Sequence, residues 1–217
     1  MLPSFCYCAH LRQVETRTAV DVVMHFREGN KASSTAQLAL LTLPRARVHR
    51  RGAKAEVFDA EAVFLPGHQP LYLFPAARAL PLTGELVREM ERKDSRPFQL
   101  IVPDGSWSQA KKIQERERAF WRLPCVSLQG LSSRYRLRRA PRKEGLATFE
   151  AIAHALGVLE GPERVAPLFD NFDLMVEQNL KSRGLLAYNR DSAGPRARIP
   201  SAAGRSPGEA PSSSAQG

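Results

Sequence analysis

Apolar residues recur with two different spacings along this chain, and the way the two alternate predicts its fold. Ala19-Val20-Asp21-Val22-Val23-Met24 is a β-branched run that ends at His25 and reads as a buried strand followed by a loop. Leu71-Tyr72-Leu73-Phe74 between Pro70 and Pro75, Phe98-Gln99-Leu100-Ile101-Val102, and Cys125-Val126-Ser127-Leu128 read as three further strands. Helices fill the intervals. Ser33-Ser34-Thr35 opens one that Pro44 stops after Leu43, and others are predicted over 82–92, 106–120 and 149–159. The 149–159 segment carries Phe149, Ile152, Ala153, Leu156 and Leu159 on one face. A final helix is expected from Pro167 to Gly184, turning Leu168, Phe172, Met175 and Leu180 to the core. Strands alternating with helices give an α/β fold, a single domain with a largely parallel sheet flanked by helices, because parallel neighbours need crossover connections.

Composition then sets the limits of that domain. A chain of 217 residues suits one domain with a core that needs no staples. From Asp191 the sequence turns to Ser, Ala, Gly and Pro with Ile199 as its one sizeable aliphatic, so residues 1–190 are expected to fold and 191–217 to form a disordered tail. Lys and Arg number 32 against 22 Asp and Glu, a formal charge of +10. The tail holds Arg196, Arg198 and Arg205 against Asp191 and Glu209, so nearly all the excess lies on the folded part. A polyanionic partner follows. Three cysteines, Cys6, Cys8 and Cys125, make no paired secretory framework, and no leader-like apolar segment precedes Cys6, which points to a cytoplasmic location. No apolar run approaches the ~20 residues of a membrane-spanning helix, so no membrane association is expected, and no obligate protein partner is inferred.

Candidate chemistry concentrates where the strand 98–102 meets the helix that follows. Ligands of open α/β sheets gather beyond the carboxyl ends of strands, where Asp104-Gly105-Ser106-Trp107 stands. Ser106 and Gln109 have capping-box spacing. Asp104 and Trp107 either close and underpin this turn or reach a bound molecule. Further on, Arg134, Arg136 and Arg138 alternate with Tyr135 and Leu137, so an extended backbone would project three guanidinium groups to one side, with Arg139 following. Such a row suits phosphate or carboxylate oxygens. Arg45, Arg47, Arg50, Arg51 and Lys54 form a second basic cluster, read as a phosphate-steering rim.

In order along the chain, Cys6-Tyr7-Cys8, His25-Phe26-Arg27-Glu28, Leu73-Phe74-Pro75, Asp104 to Lys112 (DGSWSQAKK), Ser133 to Arg138 (SRYRLR) and Thr148-Phe149-Glu150-Ala151 resemble the DTW-domain family. The resemblance covers nearly all of residues 6–160. It implies a SPOUT-like α/β fold, with a knotted path left open, that binds S-adenosylmethionine and transfers its 3-amino-3-carboxypropyl group to N3 of a uridine in tRNA, releasing methylthioadenosine. A SPOUT-type RNA methyltransferase and a non-catalytic RNA-binding or ribosome-associated module are the competing expectations.

Under that resemblance each motif acquires a role. A uridine N3–H is a weak acid, so attack on carbon needs a base as the bond forms, and Asp104 is the candidate; its other reading is a cap or a ribose ligand. Phe74, Pro75, Gly105, Trp107, Tyr135, Arg136, Leu137, Thr148 and Glu150 are the expected cofactor-binding residues, with Trp107 as a stacking plate, Thr148 as a helix cap and Glu150 holding the cofactor's amino group. Arg134, Arg138, Arg139, Lys111 and Lys112 are expected to contact RNA, and His25 and Glu28 to touch RNA or assist a proton transfer. Cys6 and Cys8 lack the upstream cysteine pair common in the family and alone do not complete a tetrahedral zinc shell, although His10 or Cys125 could assist; zinc is left open as the lesser expectation and no metal site is assigned.

Overall fold

The computed structural model describes residues 5–29, 34–53, 57–137 and 145–185, all within the unit Met1–Leu186. The expected tail 191–217, together with Arg138, Arg139 and Lys54, lies outside the described residues. Six strands form one sheet: β1 (Ala19–His25), β2 (Ala46–Arg51), β3 (Gln69–Leu73), β4 (Leu80–Pro81), β5 (Phe98–Asp104) and β6 (Cys125–Ser127), in the order β2-β1-β5-β3-β6-β4. Every pairing is parallel. The helices are α1 (Thr35–Thr42), α2 (Gly84–Lys93), α3 (Trp107–Arg116), α4 (Arg118–Trp121), α5 (Thr148–Glu160) and α6 (Pro162–Ser182).

Alternation along the strands sorts side chains between two cores. Val20, Val22, Met24, Leu71, Leu73, Leu100, Val102 and Val126 pack with Leu38, Phe149, Ile152, Leu168 and Phe172, burying the sheet under α1, α5 and α6. Val23, Tyr72, Ile101 and Cys125 pack on the opposite face with Ile113 and Phe120 of α3 and α4. Tyr72 stacks on Phe120 at a centroid separation of 5.3 Å. Burial on both faces explains why the strands read as continuous apolar runs.

Three expectations need correction. The basic cluster from Arg45 includes an unexpected strand, β2: Arg47 Nε and His49 Nε2 reach Asp21 Oδ1 at 2.7 and 2.6 Å. Gln99 Nε2 donates to Asp21 Oδ2 at 2.7 Å, so a fully buried carboxylate is satisfied from three side chains. Arg47 is therefore a partner of the core rather than part of a phosphate rim. The single helix expected over 106–120 breaks at Glu117, whose extended backbone separates α3 from α4. The last helix begins at Pro162, not Pro167. Gly161, at φ 97°, turns the chain directly out of α5, which places Pro162 at the first helical position and leaves Pro167 inside the helix.

Candidate active site

A cavity of about 520 Å³ opens at the carboxyl ends of β3, β5 and β6, within the usual range for small-molecule sites. Its walls come from Leu73, Phe74 and Pro75 after β3, from Val102, Pro103, Gly105, Ser106 and Trp107 around the end of β5, and from Ser127 and Leu128 after β6. Tyr135, Gly145, Leu146, Ala147 and Thr148 close it from the segment leading into α5.

The turn after β5 is built locally. Ser106 Oγ accepts from Gln109 N at 3.3 Å, and Gln109 Oε1 accepts from Ser106 N at 2.7 Å, the reciprocal box that the spacing predicts. Gly105 is needed there: a Cβ at this residue would lie 2.9 Å from Gln109 Cβ, at φ 157°. Trp107 is half-buried with its ring 6.3 Å from that of Phe74, so two aromatic side chains line one side of the cavity. Two helices, α3 and α5, begin at the cavity wall, and their N-terminal N–H groups favour an anionic group there.

Asp104 ends β5 and is buried, just behind the wall formed by its neighbours Pro103 and Gly105. Its Oδ1 accepts from Thr148 Oγ1 at 2.5 Å, and Thr148 does face the cavity. Thr148 is thus the first residue of α5 rather than its cap. Ala147 precedes the helix and has no side-chain acceptor to offer.

Glu150 stands deeper. Its carboxylate accepts from Ser133 Oγ at 2.5 Å, from Arg134 N at 2.6 Å and from Ala147 N at 2.9 Å. One buried side chain thereby ties down both described ends of the segment 133–147. Burial pushes its carboxyl above the ordinary value, against the opposing pull of Ser133 and the two N–H groups. These oxygens serve the protein's own backbone, and Glu150 is absent from the cavity wall.

The arginine row takes a different shape from the one that alternation predicts. The chain turns at Arg136 and Leu137, so the extended run stops short. Arg134 lies against α6, with its guanidinium 5.4 Å from the Phe169 centroid and 3.3 Å from Asp173 Oδ2. Arg136 and Leu137 do not line the cavity, whereas Tyr135 does, packed 5.8 Å from Phe172. Lys111 and Lys112 are exposed on α3. Cys6 and Cys8 are exposed, while Cys125 is buried with its thiol donating to Phe74 O, and no cluster of metal-ligating residues occurs among the described residues. Ser127, Leu128, Leu146 and Ala147 are lining residues that no motif signalled, since small and aliphatic side chains carry no chemical signature.

The DTW domain matches residues 1–180 of the chain. This protein belongs to the DTW-domain family. The DTW chain is 30% identical over 162 residues to "tRNA-uridine aminocarboxypropyltransferase 2" of Macaca fascicularis, covering 71% of this chain and 53% of that protein. The protein of the same name from Mus musculus is 32% identical over 162 residues, with the same coverage, so the chain spans about half the length of these curated relatives. "tRNA-uridine aminocarboxypropyltransferase A" of Arabidopsis thaliana is 26% identical over 180 residues, covering 71% of this chain and 67% of that one. Among solved structures, the SAM-dependent rRNA:acp-transferase Tsr3 of Vulcanisaeta distributa superposes with a TM-score of 0.50 at 18% identity, covering 80% of this chain and 88% of that one, a likeness of fold. The DTW fold is accordingly the single-domain parallel α/β architecture expected from the sequence. No helix among the described residues is long and apolar enough to cross a membrane.

Proposed function

We propose that this DTW-domain protein is a tRNA-uridine aminocarboxypropyltransferase that uses S-adenosylmethionine. The observation that carries the reading is the Thr148–Asp104 hydrogen bond, 2.5 Å long, at the point where the cavity meets the starts of α3 and α5. The cavity suits the donor's chemistry: Trp107 and Phe74 offer flat apolar surface to a purine, and the two helix starts favour a carboxylate. When bound, S-adenosylmethionine supplies an electrophilic carbon in its aminocarboxypropyl arm, with methylthioadenosine as the leaving fragment.

Within this reading the protein's own part is binding, orientation and proton removal. Thr148 lines the cavity and its Oγ1 already donates to Asp104 Oδ1, so the hydroxyl keeps a lone pair to receive the uridine N3 proton as its own proton passes to the carboxylate. The proton ends on Asp104, the base, and Thr148 carries it there. The excess of basic residues steers the nucleic acid.

Purified protein incubated with unmodified tRNA and with S-adenosylmethionine labelled either in the methyl or in the aminocarboxypropyl carbons tests the assignment. Label is expected in RNA from the aminocarboxypropyl carbons only. Label from the methyl group alone would replace this reading with methyl transfer, and no binding of the donor by calorimetry would leave an RNA-binding module.

A further inference from the structure

The carboxyl ends of β1 and β2 present a surface that the proposed chemistry does not use. His25 closes β1 directly beside the active turn: its Nδ1 lies 3.2 Å from Gln109 Nε2, and a Cβ placed on Gly105 would come within 3.5 Å of His25 Cβ. The next residue, Phe26, belongs to neither core cluster and is 38% exposed, so part of its ring face is open to solvent. Its ring sits 4.9 Å from the His25 imidazole, and the Arg27 guanidinium stands 5.5 Å from its centroid. The chain leaving β2 supports both rings at Gly52, where a Cβ would lie 3.6 Å from Phe26 Cδ1 and 3.7 Å from His25 Nε2.

Cations surround this stack. The Arg50 guanidinium rests on Gly29, and the His25 pKa is lowered first by burial and then by Arg27, Arg51 and Lys112, against the opposing pull of the buried Glu28 carboxylate. Arg51 is taken by Glu117 at 2.5 Å. Arg27, Arg50 and Lys112 make no ion pair within salt-bridge distance of a carboxylate among the described residues, so three cations stand near the exposed aromatic stack beside the buried Glu28.

We infer that His25, Phe26 and Arg27 form a stacking platform for a nucleobase adjoining the target uridine, with Arg27, Arg50 and Lys112 neutralising the flanking phosphates. This rests on the tRNA-modifying reading of the neighbouring cavity. A uridine alkylated at N3 must be unpaired, since N3 lies on its pairing edge, and its neighbours are then free to splay. Single-stranded RNA is held in this way, by aromatic and guanidinium planes under the bases and cations along the backbone.

The test is equilibrium binding of an unmodified tRNA transcript at fixed salt to the wild-type protein, Phe26→Leu and Phe26→Trp, with S-adenosylmethionine affinity measured on each by calorimetry. Phe26→Leu is expected to weaken RNA binding about tenfold, with an unchanged salt dependence and unchanged donor affinity, and Phe26→Trp to restore it. Equal RNA affinity for Phe26→Leu, or a Phe26→Trp variant as weak as the leucine one, would overturn the platform alone. A wild-type protein that binds neither tRNA nor donor would overturn the functional reading, and the platform with it.

Discussion

The two walls of the cavity are built by opposite means. At the β5–α3 turn, Ser106 and Gln109 satisfy each other's backbone across three residues, and Gly105 makes room for them. The wall running from Ser133 to Ala147 has no regular structure in its described residues and hangs on one carboxylate, Glu150, from the helix beneath. A wall assembled from local contacts loses them one at a time. A wall suspended from a single buried group gives way as a unit, because the buried Ala147 N–H and the part-buried Ser133 hydroxyl and Arg134 N–H lose their shared acceptor together.

The largest effect should separate chemistry from shape. Asp104→Asn is expected to slow transfer by roughly 10²–10⁴-fold while leaving donor binding intact, and Thr148→Val to act in the same direction, because either change interrupts the proton path. Single-turnover rates with donor affinity measured alongside check this; undiminished turnover in both variants would remove the acid–base role from this wall.

Glu150→Ala should come next. About 1–3 kcal/mol is expected for each buried donor orphaned, seen as a lower melting temperature together with a raised KM for S-adenosylmethionine. Glu150→Gln keeps one acceptor and should fall between. Since the Glu150 carboxyl is raised in the folded protein, its contribution to stability is fully present below the unfolded-state value and is lost as pH rises through the raised one. The melting-temperature advantage of wild type over Glu150→Gln is therefore expected to be greatest in acid and to shrink as pH increases. A gap that widens instead would mean that the ionised form, not the protonated one, is the favoured state of this anchor.

Smaller losses are expected from the local wall. Gly105→Ala forces a side chain against Gln109 and should cost about 1–3 kcal/mol, with weakened donor binding as the turn shifts. Ser106→Ala removes one half of the capping box and should cost about 1 kcal/mol, with turnover little changed. Chemical denaturation reads both. If Ser106→Ala proved more damaging than Glu150→Ala, the contrast between the two walls would be reversed.

The same contrast explains what could be read in the sequence. The 106–109 turn was legible because cap, partner and glycine lie within five residues, and the buried strands were legible because burial on both faces makes them apolar throughout. Strand β2 is not legible in the sequence because its arginine and histidine compensate a charge on β1, twenty-odd residues earlier, and nothing in the local pattern shows that Asp21 is buried. Glu150 carried the right position for a helix start, but its partners Ser133 and Arg134 lie 17 and 16 residues away. Arg134 looked like a member of a free cationic row until Phe169 and Asp173 of α6 came against it. Four of the six blocks of the family pattern supply residues to the cavity wall, yet the pattern does not distinguish residues that face it, such as Trp107 and Thr148, from residues that hold it up, such as Glu150.

The strand order has a consequence for how this protein comes into being. β5 lies between β1 and β3, both of which precede it, with Ala19 paired to Gln99 and Gln69 to Phe98. A nascent chain therefore holds two strands with an empty slot between them until residues 98–104 emerge, and only their insertion joins the two halves of the sheet. The segment that fills the slot also ends in Asp104, so the strand that joins the two halves and the proposed base arrive together.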